Sequence, residues 1–373
     1  MKKLIAVILA VMMALALVAC SAPAAAPAPE TSNTETEAPV QNSAEPAPET
    51  EEELTFAIIY PASDANWYNS IAEGFKYGAE EASEKLGIKI NTMLLPSDYD
   101  VDLEVANIEM CVTQGIDGLC MYSFNESGAG LAAQKLAGTG IQLVCADSCG
   151  QGLEAGYDMD GCVDFDWYKM GEDYAKWMAE NTTGDYVIIT GNFESYPCQF
   201  VNEAIQKTSE ELGVNKLVGP ILDSDYEADK AAAIAEDLIN SGKTFETIFA
   251  MCADLAVPVC RVLDAAGYLN NPYKVITQNG QDDLDIAAVA DGRMQMTISS
   301  SPGYEGYVAF RWLLSERLGK CDLTNEQIWL PCAVVDYEAT QNRDNTVIVP
   351  WEPCEEWATL AVRDMPQLDW YDK

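Results

Sequence analysis

The sequence predicts an α/β fold of two doubly wound lobes, each built on a parallel sheet. Short apolar runs alternate along the chain with longer segments whose apolar residues recur at a spacing near 3.6. This alternation occurs twice, and a segment rich in Gly and Asp at residues 150–164 separates the two runs. Strands that alternate with helices form parallel sheets whose two faces are covered by helices. Two such runs therefore predict two lobes.

The first run supplies the elements of the first lobe. Ile71, Phe75 and Ala79 fall on one face of a helix, which we expect Gly87 to end. Two more helices are predicted at residues 101–113 and 128–137. Strands are predicted at residues 54–60, 89–95, 116–122 and 142–147.

The second run repeats the pattern and supplies the second lobe. Its apolar runs predict strands at residues 186–191, 216–222, 247–252 and 273–278. Its amphipathic segments predict helices at residues 166–180, 199–212, 227–239 and 255–266.

The N-terminal region has the composition of an export signal followed by a tether. Two lysines precede an apolar run at residues 4–19, which is shorter than the ~20 residues of a bilayer-spanning helix. The tetrapeptide LVAC resembles a lipobox, in which the Cys thiol is acylated and the signal is cut just before it. We expect a signal peptide at residues 1–19, lipidation of Cys20 and a disordered acidic linker at residues 20–53. An ordinary signal peptide that contains a Cys is the alternative.

Charge and composition exclude several classes of function. The net charge is −39, from 60 acidic and 21 basic residues, which disfavours nucleic acid as a partner. The chain has no histidine, which removes Ser–His and Cys–His nucleophiles and the commonest metal ligand. Cysteines in Cys-x-x-Cys spacing, typical of zinc sites, are also missing. We therefore expect no enzymatic activity, no metal and no cofactor.

The twelve cysteines do not predict a disulfide framework. Cys120, Cys145 and Cys252 lie within apolar runs, where a free cysteine behaves as a small hydrophobic residue. Lipidation of Cys20 would also leave an odd number. We expect most of them to be reduced core residues, with a pair between Cys145 and Cys149 left open.

Candidate ligand-binding residues follow the predicted strands. In doubly wound sheets, ligands bind beyond the carboxyl ends of the strands. The residues at these positions are mainly polar and aromatic. The candidates from this position are Asp64, Asn66, Trp67, Tyr68, Tyr122, Asp147, Ser148, Asp254, Asn279 and Ser300.

Four segments, in this order, resemble the type 1 periplasmic binding proteins, specifically the sugar-binding group that includes ribose-binding protein. They are FAIIYPASDANWYNSIAEGFKYGAEEASEKLG, CVTQGIDGLCMY, GIQLVCAD and KVITQNGQDDLDIAAVADGRMQMTIS. The resemblance covers residues 54–338 and implies two lobes that close on a ligand about a hinge of three chain crossings. It implies a first lobe at residues 54–163 plus 301–333 and a second at residues 164–300 plus 334–373.

The resemblance also implies roles for particular side chains. Trp67 and Tyr68 match an aromatic pair that stacks on the ligand ring, and Tyr226 matches a third aromatic from the opposite lobe. Asp147 and Asn279 match positions that form hydrogen bonds with ligand hydroxyls.

Departures from the ribose-binding pattern bear on the ligand. Ser148 and Gln199 stand where ribose binders carry arginines, and Cys252, with Asp254 close by, stands near a position that is usually Asn. Arginine supplies forked donors to ring oxygens and carboxylates. Without it, ribose and anionic ligands are disfavoured, and a neutral sugar or polyol, or a cationic or nucleoside-like molecule, is favoured.

The function implied by the resemblance is solute capture. We expect a monomeric lipoprotein on the extracytoplasmic face of the membrane that delivers a small-molecule ligand to the permease and ATPase of an ABC importer. A sensory module for a chemoreceptor or histidine kinase is the alternative, because both uses share the fold and its closure.

Overall fold

A computed structural model describes residues 53–125, 127–147, 153, 155–343 and 348–372. The predicted signal peptide, Cys20, nearly all of the linker, Ser148 and Cys149 lie outside the described residues. The body from residue 53 onward contains two six-stranded sheets, as the sequence predicts. We call each sheet with the helices packed on it a lobe.

The first sheet has the strand order β11-β5-β4-β3-β1-β2, and all its neighbouring strands run parallel. Its strands are β1 (Glu53–Tyr60), β2 (Lys89–Pro96), β3 (Gly118–Met121), β4 (Gln142–Ala146), β5 (Gly161–Phe165) and β11 (Gln327–Leu330).

The second sheet has the order β12-β10-β9-β8-β6-β7, and only its edge strand β12 pairs antiparallel. Its strands are β6 (Tyr186–Thr190), β7 (Leu222–Asp223), β8 (Thr247–Ala250), β9 (Lys274–Ile276), β10 (Met296–Ser299) and β12 (Ala333–Asp336). The chain therefore crosses between the sheets three times: after β5, after β10 and between β11 and β12.

Helices connect the strands and cover the sheets. In chain order they are α1 (Asn66–Leu86), α2 (Val101–Gln114), α3 (Gly128–Leu136), α4 (Trp167–Asn181), α5 (Tyr196–Leu212), α6 (Ala228–Asn240), α7 (Ala253–Ala265), α8 (Ala287–Ala290), α9 (Pro302–Arg317), α10 (Tyr337–Gln341) and α11 (Glu356–Asp364). A π-helical turn (Asp282–Ile286) precedes α8, and a 3₁₀ turn (Pro366–Asp372) follows α11. No helix within these described ranges is long and apolar enough to cross a membrane.

Helix α1 ends where the sequence predicts. Gly87 has φ of 67°, a left-handed conformation that glycine adopts without steric cost, and its N–H donates to the Ser83 carbonyl. The start of α2 is fixed differently, because the Asp100 side chain accepts hydrogen bonds from the N–H groups of Asp102 and Leu103.

Helix α9 packs between the first sheet and α1. Phe310 on α9 makes edge-to-face contacts with Phe56 on β1 and Phe75 on α1, both with ring centroids 5.3 Å apart. A Cβ at Gly74 would lie 1.8 Å from the Gly303 carbonyl oxygen, so the two helix backbones touch there. This contact places α9 in the first lobe.

Two segments differ from the predicted elements. Strand β5 lies within residues 150–164 and just beyond, where the abundance of Gly and Asp predicts a break, yet all five of its residues are buried. The predicted strand at residues 216–222 reduces to a bridge at Leu217 and the short β7. Gly219, at φ of 86°, and Pro220, which lacks an N–H, interrupt it.

The C-terminal helix packs on the first lobe. Trp357 on α11 contacts the rings of Tyr77 on α1 and of Tyr304 and Tyr307 on α9. The resemblance places residues 334–373 with the second lobe, and these contacts differ from that expectation because the aromatic face of α1 and α9 accepts the helix. The remaining lobe boundaries stay a prediction.

The ten cysteines within the described residues are free, and six of them are buried in strands or helices of the core. Cys145 is one of them, and the partner considered for it, Cys149, lies outside the described residues. Burial raises the pKa of the Cys145 thiol well above its usual range, which disfavours the reactive thiolate.

Candidate functional site

Asp147 stands directly after β4, at the carboxyl end of the first sheet. Its φ of 42° lies in the left-handed region, which Asp tolerates better than most residues. Its N–H donates hydrogen bonds to the Val163 carbonyl at 3.2 Å and to Oε1 of Glu305 at 2.8 Å. These two acceptors fix the backbone of Asp147 and thereby the orientation of its carboxylate.

One oxygen of the Asp147 carboxylate is occupied and the other is not. The Trp67 indole N–H donates to Oδ2 at 2.7 Å, whereas Oδ1 is buried and has no hydrogen-bond partner among the described residues. Burial raises the pKa of Asp147 to about 6, and the nearby Tyr122 hydroxyl and the Trp67 indole oppose this effect. Asp147 is therefore mostly ionised at neutral pH and has one acceptor to offer.

Glu305, on α9, is a second buried acid beside Asp147. It is fully buried, and its Oε2 has no hydrogen-bond partner within the ranges that the structure describes. Burial raises the pKa of Glu305 well above its usual range, and the neighbouring carboxyls of Asp147 and Asp164 raise it further. Ionisation of both neighbouring buried carboxyls would cost a large repulsion and desolvation free energy. Asp147 therefore carries the charge, and Glu305 keeps its proton.

Aromatic rings surround the Trp67–Asp147 pair. The Trp67 ring lies 5.9 Å from Phe165, 6.1 Å from Trp167 and 5.5 Å from Trp351, measured between centroids. Trp167 is itself oriented by a 2.8 Å hydrogen bond from its indole N–H to Asp164. This packing leaves Trp67 half-buried and in a fixed orientation.

Tyr68 begins a second aromatic group in the first lobe. Its ring makes edge-to-face contacts with Tyr122 at 5.5 Å and Tyr99 at 6.1 Å. Burial raises the pKa of Tyr68 well above its usual range, with smaller contributions from Tyr99, Asp147 and Cys252. Cys252 precedes α7 in the second lobe, after the carboxyl end of β8.

Tyr226 is the second-lobe aromatic residue that the resemblance implies, and it is 42% exposed although its hydroxyl has partners within that lobe. Its hydroxyl lies 3.1 Å from the Ser195 hydroxyl and 3.2 Å from the Cys198 thiol. Burial of the hydroxyl raises its pKa well above the usual range, and Cys198 and Tyr68 add to the effect. A Cβ at Gly191 would lie 2.2 Å from the Tyr226 ring, so only glycine lets the ring lie there.

Asn279 and Ser300 lie at the carboxyl ends of the second sheet, beside a hinge crossing. The Asn279 carbonyl accepts hydrogen bonds from the Ser300 N–H at 3.1 Å and the Trp351 indole N–H at 3.1 Å. Its side-chain Oδ1 is buried, and no described residue forms a hydrogen bond with it. The Ser300 hydroxyl accepts from the Gln278 amide at 3.0 Å.

Four predicted residues stand apart from this group. Asp64, Asn66 and Asp254 are exposed, the last at the start of α7. Gln199 is also exposed, donates to the Phe193 carbonyl at 3.1 Å and lines an outer groove along α5. Their ligand contacts stay predictions.

Sequence reasoning missed several residues that the structure brings to the site: Glu305, Phe165, Trp167, Trp351 and Tyr99. Phe165 is the last residue of β5, a strand that the sequence pattern does not show, and Trp167 follows it. The available signal for Glu305 was its position in SPGYEG, where the small neighbouring residues indicate close packing around an acidic side chain.

The family is decided by a sequence profile. The profile described as "Periplasmic binding protein domain" matches residues 56–320, which is more than half of the chain. The chain belongs to the periplasmic binding protein family. Members of this family bind solutes and are not enzymes, which agrees with the prediction from composition. No curated protein matches the sequence.

Solved structures share the fold of this periplasmic binding protein. The glucose-galactose binding protein GanP from Geobacillus stearothermophilus is 17% identical, with a TM-score of 0.65 over 77% of this chain and 98% of that chain. A solute-binding protein from Actinobacillus succinogenes 130z with bound D-allose is 19% identical, with a TM-score of 0.67 over 78% of this chain and 99% of that chain. A solute-binding protein from Bacillus halodurans C-125 with bound myo-inositol is 15% identical, with a TM-score of 0.66 over 80% of this chain and 99% of that chain. The predicted two-lobed α/β fold is therefore confirmed.

Proposed function

We propose that this protein binds a neutral sugar or polyol between its two lobes and delivers it to an ABC importer. The observation that carries the proposal is a pair of buried acceptor atoms on opposite lobes, Oδ1 of Asp147 and Oδ1 of Asn279, for which the described part of the chain supplies no donor. A molecule with several hydroxyl groups can donate to both at once.

A buried polar atom that lacks a hydrogen-bond partner destabilises the ligand-free protein. Each buried acceptor without a donor costs about 1–3 kcal/mol, which a ligand hydroxyl removes. Asp147 accepts more strongly than a neutral group because its carboxylate is charged. Since one ligand must touch both lobes to satisfy both atoms, binding favours the closed arrangement.

The surrounding rings fit a sugar or polyol as well. Trp67 and Tyr68 present aromatic surface beside the Asp147 carboxylate. The C–H groups of a sugar ring pack against aromatic faces while its hydroxyls reach the polar atoms at the edge. A site of this kind holds the apolar and the polar faces of one small molecule.

The charge of the site argues against an anion. Within the described residues, neither Asp147 nor Glu305 is paired with a lysine or arginine. An anionic ligand would meet the Asp147 carboxylate without any compensating cation. The D-allose and myo-inositol bound by two of the similar structures are neutral polyhydroxylated molecules, which supports the same class of ligand here.

The test is to identify what the purified protein binds. Native mass spectrometry would identify any ligand carried through purification, and calorimetry would measure binding of D-glucose, D-allose, D-arabinose and myo-inositol. Gluconate and putrescine represent the anionic and cationic alternatives. We expect at least one neutral compound to bind, and Asp147→Ala to weaken this binding at least tenfold, whereas Asp237→Ala, at an exposed position, leaves it unchanged. Binding of putrescine or gluconate alone would overturn the proposal.

We further propose that the protein is anchored to the outer face of the membrane through Cys20. The sequence that supports this is LVAC, followed by a long polar stretch with almost no large apolar residue. Such a tether keeps the binding body close to the membrane in which an importer lies.

A further inference from the structure

We propose that residues 348–372 form a strap fixed to the first lobe, and that Trp351 is a positioning residue that joins the ligand-binding residues of the two lobes. The family match ends at residue 320, before this segment begins. The inference about affinity rests on the proposed function, whereas the inference about lobe geometry does not.

The end of the strap is held by the first lobe. The Asp372 carboxylate pairs with Arg311 on α9 at 2.8 Å and with Lys85 on α1 at 2.7 Å. The Arg311 guanidinium also lies 4.0 Å from the ring centroid of Tyr371, whose hydroxyl donates to the Gly78 carbonyl at 3.1 Å. Arg311 is fully buried, so this is an internal contact.

The middle of the strap is held by the same two helices. The Trp357 ring packs on Tyr77 of α1 and Tyr307 of α9. The Tyr304 hydroxyl donates to the Asp364 carboxylate at 2.9 Å. Helix α11 therefore cannot move independently of the first lobe without breaking these contacts.

The start of the strap is held at the junction of α1 and α9. The Pro350 carbonyl accepts hydrogen bonds from the Ser301 hydroxyl at 2.8 Å and the Trp357 indole at 3.1 Å. A Cβ at Gly303 would lie only 2.3 Å from the Trp351 carbonyl oxygen. Glycine at this position is what allows the strap to lie so close to α9.

The Trp351 side chain leaves this anchored backbone and crosses to the second lobe. Its indole N–H donates to the carbonyl of Asn279, which follows β9, at 3.1 Å. Its ring meets the Trp67 ring edge-to-face, with centroids 5.5 Å apart and planes at 80°. Trp351 is only 7% exposed. One side chain thus contacts a proposed ligand residue from each lobe.

This geometry gives Trp351 a definite energetic role. If the lobes separate, the bond to Asn279 and the contact with Trp67 cannot both persist. Trp351 therefore favours the arrangement in which Asp147 and Asn279 face one ligand. Loss of one neutral hydrogen bond corresponds to an affinity loss of about three- to tenfold.

The chain offers a matched control for the experiment. The Trp370 indole N–H, on the same strap, donates to the Ser315 hydroxyl at 3.1 Å, entirely within the first lobe. Trp351→Phe and Trp370→Phe therefore remove the same kind of bond from the same strap, and only the first removes a bond between lobes. The measurements are small-angle X-ray scattering of the ligand-free protein, thermal unfolding, and calorimetry with D-allose and myo-inositol.

We expect Trp351→Phe to increase the radius of gyration and to weaken binding about three- to tenfold, while Trp370→Phe changes neither, whatever its effect on the melting temperature. Equal effects of the two variants on scattering would show a purely structural strap and overturn the proposal. If the wild type binds no sugar or polyol, the proposed function fails, and the scattering comparison still decides the role of Trp351.

Discussion

The indole N–H of Trp67 donates a 2.7 Å hydrogen bond to Oδ2 of Asp147. The bond joins the start of α1 to the carboxyl end of β4, two segments that are 80 residues apart. It orients the ring and the carboxylate together, and it leaves Oδ1 of Asp147 as the acceptor that we propose for a ligand hydroxyl. In this proposal one pair of side chains supplies both the aromatic and the polar recognition of the ligand.

We predict that Trp67→Ala and Asp147→Ala each weaken ligand binding at least tenfold, about 1.4 kcal/mol. Trp67→Ala removes the aromatic surface and frees Oδ2, and Asp147→Ala removes the charged acceptor. Calorimetry with the ligand identified by mass spectrometry measures both. Trp177, a half-buried tryptophan on α4, provides the control substitution. Unchanged affinity in both variants would mean that the ligand lies elsewhere.

The positions of Trp67 and Asp147 could be predicted because both follow strands that are continuous apolar runs. The ends of parallel strands meet at one edge of a sheet, so sequence order alone brings these residues together. Glu305 could not be found in this way. Fourteen of the sixteen residues of α9 are buried, so the helix shows no polar face against which a buried acid would stand out.

The position of Trp351 at the site could not be predicted from the sequence either, for a different physical reason. Its place at the site depends on contacts between the strap and two helices that lie far away in the sequence, such as that of Asp372 with Lys85. No local periodicity encodes a contact of this kind. Strand β5 was hidden because its five residues, GCVDF, include a glycine and an aspartate and lie between Asp160 and Asp166, which locally indicate a turn.

The contact between Glu305 and Asp147 leads to a prediction about ligand affinity. Because Glu305 keeps its proton, Glu305→Gln retains the acceptor that holds the Asp147 N–H and should leave affinity within about threefold. Glu305→Leu removes this acceptor from a backbone at φ of 42° and should weaken binding about tenfold. Calorimetry at pH 7 compares them. An equal loss in both variants would show that Glu305 acts through its charge instead.

The predicted lipid anchor gives a test in cells. Cys20→Ser removes the thiol that would receive the diacylglycerol, so the protein should move from the membrane fraction to the soluble extracytoplasmic fraction. Incorporation of labelled palmitate, followed by fractionation, measures this. Cys111→Ser changes a buried core cysteine and serves as the control. Label retained in Cys20→Ser would refute the assignment of Cys20.

The raised pKa of Asp147 predicts how stability depends on pH. A carboxyl whose pKa is about 6 in the folded state and near 4 when unfolded binds its proton more tightly in the folded state. Its contribution to stability is therefore fully present below pH 4 and is lost as the pH rises through 6. The loss is on the order of 1–3 kcal/mol in the free energy of unfolding.

Because Glu305 titrates together with Asp147, the cleanest comparison is made in a Glu305→Gln background. Adding Asp147→Asn to that variant removes the titration of Asp147 and of no other group. Asp285, another buried acid with a pKa of about 6, is present in both proteins, so its contribution cancels in the difference between their stabilities. Urea unfolding at pH 4, 5, 6 and 7 gives the two stability curves. We expect the Asp147→Asn protein to gain stability relative to its parent as the pH rises from 4 to 7. A constant difference across this range would mean that Asp147 is ionised in the folded protein throughout, with a partner that compensates its charge.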